Sequence, residues 1–125
     1  MTTVSAVPAQ FLLDGRRVNS CLLFPVAVTG TDITTIEGLA RSATLHQAFV
    51  DHDALQCGYC TPGQICSAAA MLAEAAAGWP SGVTADIDAE RITLDGREVA
   101  ERMSGNLCRC GAYAHIVPAI LDAAR

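Results

Sequence analysis

Two tight cysteine pairs constrain this chain more than any other feature. The first is Cys57-Gly58-Tyr59-Cys60, and the second, Cys108-Arg109-Cys110, lies far downstream. Four thiols in two pairs can close around one metal centre, each pair bringing its own loop. The stretch between them reads mostly as helix, so such a centre would also tie distant parts of the chain together. Four-thiolate sites hold both structural zinc and iron–sulfur clusters. The ligand set alone therefore leaves zinc open beside an iron–sulfur site.

The remaining cysteines and the histidines narrow the choice. A disulfide framework is the alternative for an even cysteine count in a secreted chain. No signal peptide is visible here, and the spacing suits thiolate ligation better. A Rieske centre needs two His ligands. His46, His52 and His115 have no Cys-x-His spacing and read as surface or helix-flank residues. Cys66 falls inside a helical pattern and reads as a small buried hydrophobe. Cys21, outside either pair, reads as a plain thiol.

Composition excludes several function classes. Apolar residues make up 51% of the 125-residue chain but aromatics only 5%, and much of the apolar share is Ala. That predicts one domain, or one plus a fragment of another, with closely packed helices and small core side chains. Net charge is −5, and all eight basic residues are Arg with no basic stripe, so nucleic-acid binding is not expected. The apolar runs are too short to cross a bilayer. No Ser/His/Asp or Cys/His nucleophile and no phosphate loop stands out. Asp51, Asp53, Glu98 and Glu101 read as solvated helix positions, and Met71 and Met103 as core.

Read in order, the chain changes character once. Residues 1–10 are weakly patterned and read as loosely attached. Apolar runs flank Asp14-Gly15, a strong hairpin signal, and residues 22–28 suggest a further extended segment. A hairpin alone is marginal in water, so it needs a partner surface, either the helical part or another chain. Thr34 followed by Glu37 reads as a capping box opening a helix, with Ile36, Leu39, Ala40 and Ala43 on one face. Leu45, Ala48 and Phe49 continue that stripe toward Leu55. Thr61 is read as the cap of the next helix, with Pro62 at its first position and Gln64 reaching back. Ile65, Ala68, Ala69, Leu72, Ala73 and Ala76 form its predicted buried face, and Gly78 ends it. Residues 83–94 are ambiguous. Asp95 and Glu98 open a third helix closed by Gly105. A last helix runs from about Tyr113 to Ala124, with Ile116, Ala119, Ile120 and Ala123 on one face. The expected fold is mainly α: a helical bundle of two helix–loop–helix pairs with a short N-terminal β-hairpin.

This reading places both cysteine pairs just before helix N-termini. A four-thiolate 2Fe-2S centre carries net negative charge. Helix N-termini present unpaired N–H groups and the positive end of the macrodipole. Gly58, Gly63 and Gly111 permit the tight turns that aim N–H groups at sulfur, and Arg109 adds a positive charge between two ligands.

Gln56-Cys57-Gly58-Tyr59-Cys60-Thr61-Pro62-Gly63 and Ser104-Gly105-Asn106-Leu107-Cys108-Arg109-Cys110 also resemble the second iron–sulfur domain of the xanthine dehydrogenase/aldehyde oxidoreductase family of molybdenum hydroxylases. The tail Gly111-Ala112-Tyr113 resembles the bacterial aldehyde-oxidoreductase branch, and the match runs from about Leu12 to Ala123. The resemblance implies a small electron-transfer subunit working with a molybdopterin-binding large subunit and an FAD-binding medium subunit. It implies that Cys57, Cys60, Cys108 and Cys110 hold one 2Fe-2S cluster, and that Gln56 and Cys110 approach the pterin. No catalytic residue is expected on this chain.

One region departs from the family. Its plant-ferredoxin-like (β-grasp) domain supplies a C-x4-C-x2-C run and a fourth cysteine after an Asp-Gly turn. Cys21 matches the fourth, but Ala6 and Ala9 stand where two of the others belong. The resemblance thus divides the chain into residues 1–32, a remnant of that domain, and residues 33–125, the helical cluster domain. A redox-inactive or zinc-binding remnant that docks as a structural subunit is the competing expectation. A cytoplasmic location is expected, with the periplasm left open because export signals in related subunits precede the region present here.

Overall fold

The computed structural model describes residues 10–39 and 43–125. The loosely attached first residues, Ala6, Ala9 and the helical face assigned to Ala40 lie outside the described residues. The predicted hairpin forms: β1 (Gln10–Leu13) pairs antiparallel with β2 (Arg16–Asn19), with Leu12 opposite Arg17. Asp14 and Gly15 both have positive φ, +49° and +80°, as the tight two-residue turn requires. A third strand, β3 (Ile33–Thr34), adds to the other edge of β1, giving the order β2-β1-β3.

Two expectations in this region are corrected. Residues 22–28 are not extended. Ser20–Leu22 and Pro25–Val28 are short 3-10 turns that leave Leu22, Phe24 and Val26 exposed. The helix expected from Thr34 does not begin there either. Thr34 is spent on β3, and Thr35 donates its hydroxyl proton to the Glu37 carboxylate instead of capping. A 3-10 turn, Ile36–Gly38, still delivers Ile36 and Leu39 to the core. Strand pairing to β1 takes the residues that a local capping signal had claimed.

Four helices follow: α1 (Ala43–Asp51), α2 (Thr61–Ala76), α3 (Gly96–Arg102) and α4 (Tyr113–Ala123). They make the two expected helix–loop–helix pairs. Helix α2 is the centre. Gly63 through Ala68 are all buried, so its first two turns are surrounded rather than amphipathic. Farther along, Met71 and Ala75 are buried, whereas Ala73 and Ala76, assigned to the buried face, are exposed. Small residues let neighbours approach closely: β1 sits on one side of α2 and α1 on another, while α4 packs mainly on α1 and α3. Phe49, Met71, Val99, Ile116 and Ile120 fill the space between. Leu55, expected to extend the α1 stripe, lies beyond the end of the helix and is exposed. Met71 and Met103 are core residues, as the sequence predicts.

The hairpin finds its partner surface on the helices. Arg17 donates to Ser67 Oγ (2.9 Å), the Arg102 carbonyl (2.7 Å) and Glu74 Oε2 (3.0 Å). Arg16 lies over the Trp79 ring at 5.2 Å. Residues 83–92 are irregular, tied back by Ile92 N–H to the Ala75 carbonyl. Asp95 caps α3 as expected, accepting from Glu98 N–H at 2.8 Å. Helix α3 stops at Arg102, short of Gly105. Glu98 is not solvated. It is buried, paired with Arg102 at 3.0 Å, and accepts from Ser81 and Thr84. The Asp-x-x-Glu pattern and the i,i+4 Arg are visible in the sequence, but burial came from the 81–84 loop folding over α3.

Candidate metal centre

Both cysteine loops run straight into helices, as the sequence requires. Cys60 is the N-cap residue of α2, and Ala112, two residues after Cys110, is that of α4. Gly58 and Gly111 have φ of +77° and +72°. These let the loops close as turns, with Thr61 N–H on the Gly58 carbonyl and Gly111 N–H on the Cys108 carbonyl. Gly63, expected to serve a similar turn, is instead helical and buried. Its carbonyl receives the Asn106 side chain at 3.2 Å.

The fold brings the two pairs together through their inner members. Cys60 and Cys108 are buried and in contact, whereas Cys57 is exposed and Cys110 half-buried. The pair is electrically unequal. Burial, then the hydrogen bond and charge of Cys108, push Cys60 up to about 11. Burial also pushes Cys108 upward. There it is outweighed by the N–H of Ala112, the Cys60 thiol and the N–H groups of Cys110 and Gly111, which leave Cys108 below an ordinary thiol. Ala112 N–H reaches Cys108 Sγ at 3.5 Å. A helix N-terminus is therefore already aimed at one of the sulfurs.

The donor chemistry fits a cluster. Among the described residues no group of three or more His, Cys, Asp or Glu side chains gathers as a metal site, so Cys57 and Cys110 are not brought together with Cys60 and Cys108. A two-iron cluster spreads its four thiolates over two metals. Two thiol-bearing loops in contact, with backbone donors facing sulfur, suit that larger negative body. The charge of Arg109 is exposed on the second loop, and Gln56 is exposed beside Cys57. Cys66 is fully buried inside α2, and Cys21 is exposed on the 3-10 turn after β2.

Three residues that hold the loops were missed or misread. Gln64 does not complete a capping box, and Thr61 is the first residue of α2 rather than its cap. The Gln64 side chain is buried and donates to the Asn106 carbonyl at 2.8 Å. Asn106 Nδ2 donates to Gln10 Oε1 at 2.8 Å, linking the second loop to β1. Tyr113 Oη accepts from Cys108 N–H at 2.6 Å. A polar Gln beside Ile65 in a buried turn was the available signal; its partners lie too far along the chain to be seen from local pattern.

The fold and this site define a class: a small helical domain of the iron–sulfur type, with thiol-bearing loops at two helix N-termini and a sheet clipped to its central helix. A family model described as the 2Fe-2S binding domain matches residues 35–121, and the chain belongs to that family. It is 56% identical over 117 residues to the aldehyde oxidoreductase iron-sulfur-binding subunit PaoA of Escherichia coli (strain K12), covering 90% of this chain and 50% of that protein. It is 43% identical over 114 residues to the nicotine 6-hydroxylase small subunit of Paenarthrobacter nicotinovorans, covering 90% and 59%. The xanthine dehydrogenase iron-sulfur-binding subunit of Escherichia coli O157:H7 is 36% identical over 114 residues, covering 89% and 63%. The chain thus spans about half to six-tenths of the length of these curated relatives. Among solved structures, that of quinoline 2-oxidoreductase from Pseudomonas putida 86 superposes with a TM-score of 0.74 at 35% identity, over 96% of this chain and 68% of that one. The relatives are iron–sulfur or small subunits of multi-subunit oxidoreductases, as the resemblance implied. Among the described residues, no helix is long and apolar enough to cross a membrane.

Proposed function

We propose that this chain is the electron-transfer part of a molybdopterin-dependent hydroxylase of the aldehyde oxidoreductase/xanthine dehydrogenase type, acting on an aldehyde or related substrate bound by another chain. Cys57, Cys60, Cys108 and Cys110 are the ligands of one 2Fe-2S cluster held in residues 33–125, with residues 1–32 belonging to a ferredoxin-like part. The observation that carries this reading is the contact of Cys60 with Cys108, each on a loop entering a helix N-terminus. A bound cluster supplies a one-electron relay from a molybdopterin subunit toward an FAD subunit. The residues of this chain do the rest. Two helix N-termini and the Ala112 N–H offset negative charge at sulfur, and α2 walls the inner side of the site from water. The exposed Cys57 and half-buried Cys110 leave the outer side open to a partner.

Iron and acid-labile sulfide in the purified, cluster-loaded protein should each come to two per chain, with one 2Fe-2S EPR signal after reduction. Four of each would contradict the single-cluster reading. Zinc in place of iron, in protein made under iron-replete anaerobic conditions, would favour the structural alternative.

Orientation has its own test. Gln56 offers both a donor and an acceptor to a pterin edge. Together with Cys110, it is assigned to the face nearest the molybdopterin. In the assembled complex Gln56→Ala should keep its iron but weaken cofactor retention or slow cluster reduction by substrate, because a buried partner group left unpaired costs roughly 1–3 kcal/mol. Wild-type reduction rate with the cofactor fully bound would remove Gln56 from that interface.

A further inference from the structure

The N–H, the carbonyl and the sulfur of Cys108 each find a partner in the residues just after it. The carbonyl accepts from Gly111 N–H at 3.1 Å, and Sγ accepts from Ala112 N–H at 3.5 Å. The Cys108 N–H donates to Tyr113 Oη at 2.6 Å. Two of these are backbone donors that most sequences could supply. The third is a side chain. Tyr113 is the first residue of α4, whose N-cap residue, Ala112, makes no side-chain cap. The phenol turns back over the cysteine loop instead of serving the helix. Its residue is 44% exposed, so the core does not hold it there. Cys108 is 8% exposed, which leaves water little access to its N–H. An enclosed N–H needs an acceptor, and the phenol oxygen is that acceptor. Cys57, exposed on the first loop, has no such hold: it makes no hydrogen bond to a described residue.

We propose that Tyr113 is a positioning residue for the cluster: its phenol oxygen fixes the backbone of Cys108, so that this ligand is set before the cluster arrives and the loaded chain holds the cluster longer. The inference rests on the reading of Cys108 as a ligand. A ligand already in place has less freedom to lose when iron binds, which favours the bound state. The bond goes to the backbone and not to sulfur, so its effect falls on retention of the cluster. The oxygen works as an acceptor, and the phenol's own proton takes no part.

Tyr113→Phe keeps the ring and removes the oxygen. In the full cluster-loaded protein it should start with wild-type iron, then lose its visible absorption about tenfold faster when excess EDTA is added. Replacing Tyr113 with O-methyltyrosine keeps an oxygen acceptor and removes the proton, and the wild-type rate should return. A wild-type rate in Tyr113→Phe would overturn the proposal, and so would a rate with O-methyltyrosine as fast as with Phe. Hydrogen exchange separates positioning from a general loosening of the fold. In Tyr113→Phe the Cys108 amide should exchange about tenfold faster, with the amides of α2 unchanged. Faster exchange throughout α2 would make the residue merely structural and would also overturn the proposal. Failure of the ligand assignment looks different: Cys108→Ser would keep its iron, a result read in metal content before any release rate is measured, and it would end both readings.

Discussion

Cys108→Ser should leave the protein without its cluster: most of the iron and the visible charge-transfer absorption disappear. A serine oxygen is a harder and less readily ionised donor than a thiolate. At this position it also forfeits the Ala112 N–H aimed at the sulfur and the contact with Cys60. The loss should exceed the roughly 10–100-fold in metal affinity that partners outside the ligand set typically cost. Cys60→Ser should behave alike, since Cys60 is the buried partner at the N-cap of α2. Cys57→Ser and Cys110→Ser complete the set. Full iron in any two of the four variants would sink the ligand assignment. Cys66→Ala is the control. Its thiol is closed inside α2 with burial holding it protonated, and iron should be unaffected.

Glu98→Ala should cost about 3–5 kcal/mol of stability, because removing one member of a buried ion pair leaves the other charge without its partner. The Arg102 side chain is only 3% exposed, and Glu98 is its carboxylate at 3.0 Å. The same carboxylate anchors the 81–84 loop through Ser81 and Thr84. A chemical denaturation curve measures the loss, and a change under about 1 kcal/mol, the range of a surface pair, would show the site to be solvated. The pH dependence gives a second check. Burial pushes the Glu98 carboxyl up, but hydrogen bonds from Thr84, Ser81 and Arg102, together with the Arg102 charge, pull it below the usual carboxylate range. Its contribution is then complete above the unfolded-state value and is lost as pH falls through that value to the depressed folded one. In Glu98→Gln that part of the acid-side loss of stability should be missing.

The contrast between these two sites shows where sequence reading works. The cysteine loops were legible because their information is local. Spacing, the glycines beside the thiols and the helix starts all sit within a few residues of one another. The hairpin was legible for the same reason, since Asp14-Gly15 needs nothing beyond its own backbone geometry. Local signals also misled where a distant partner competed for the same residues. Thr34 and Glu37 have the pattern of a cap, yet β1 takes Thr34 into a strand. Thr61 and Gln64 have it too, yet the Gln64 amide turns inward to Asn106.

Glu98 shows the limit in another form. An Asp-x-x-Glu helix start and an i,i+4 Arg are the marks of an exposed helix as much as of a buried pair, because burial depends on what folds across them. By itself the sequence determined the chemistry: four thiols, two loops, two helix N-termini, and a small-residue helix to pack around. Only the tertiary structure decided which thiols meet, which amides and carboxylates are enclosed, and which helical positions face water. Those outcomes rest on contacts between residues tens of positions apart, such as Gln64 with Asn106 or Arg17 with Glu74. The free energy of such contacts comes from shared desolvation, a property that neither partner's local sequence contains.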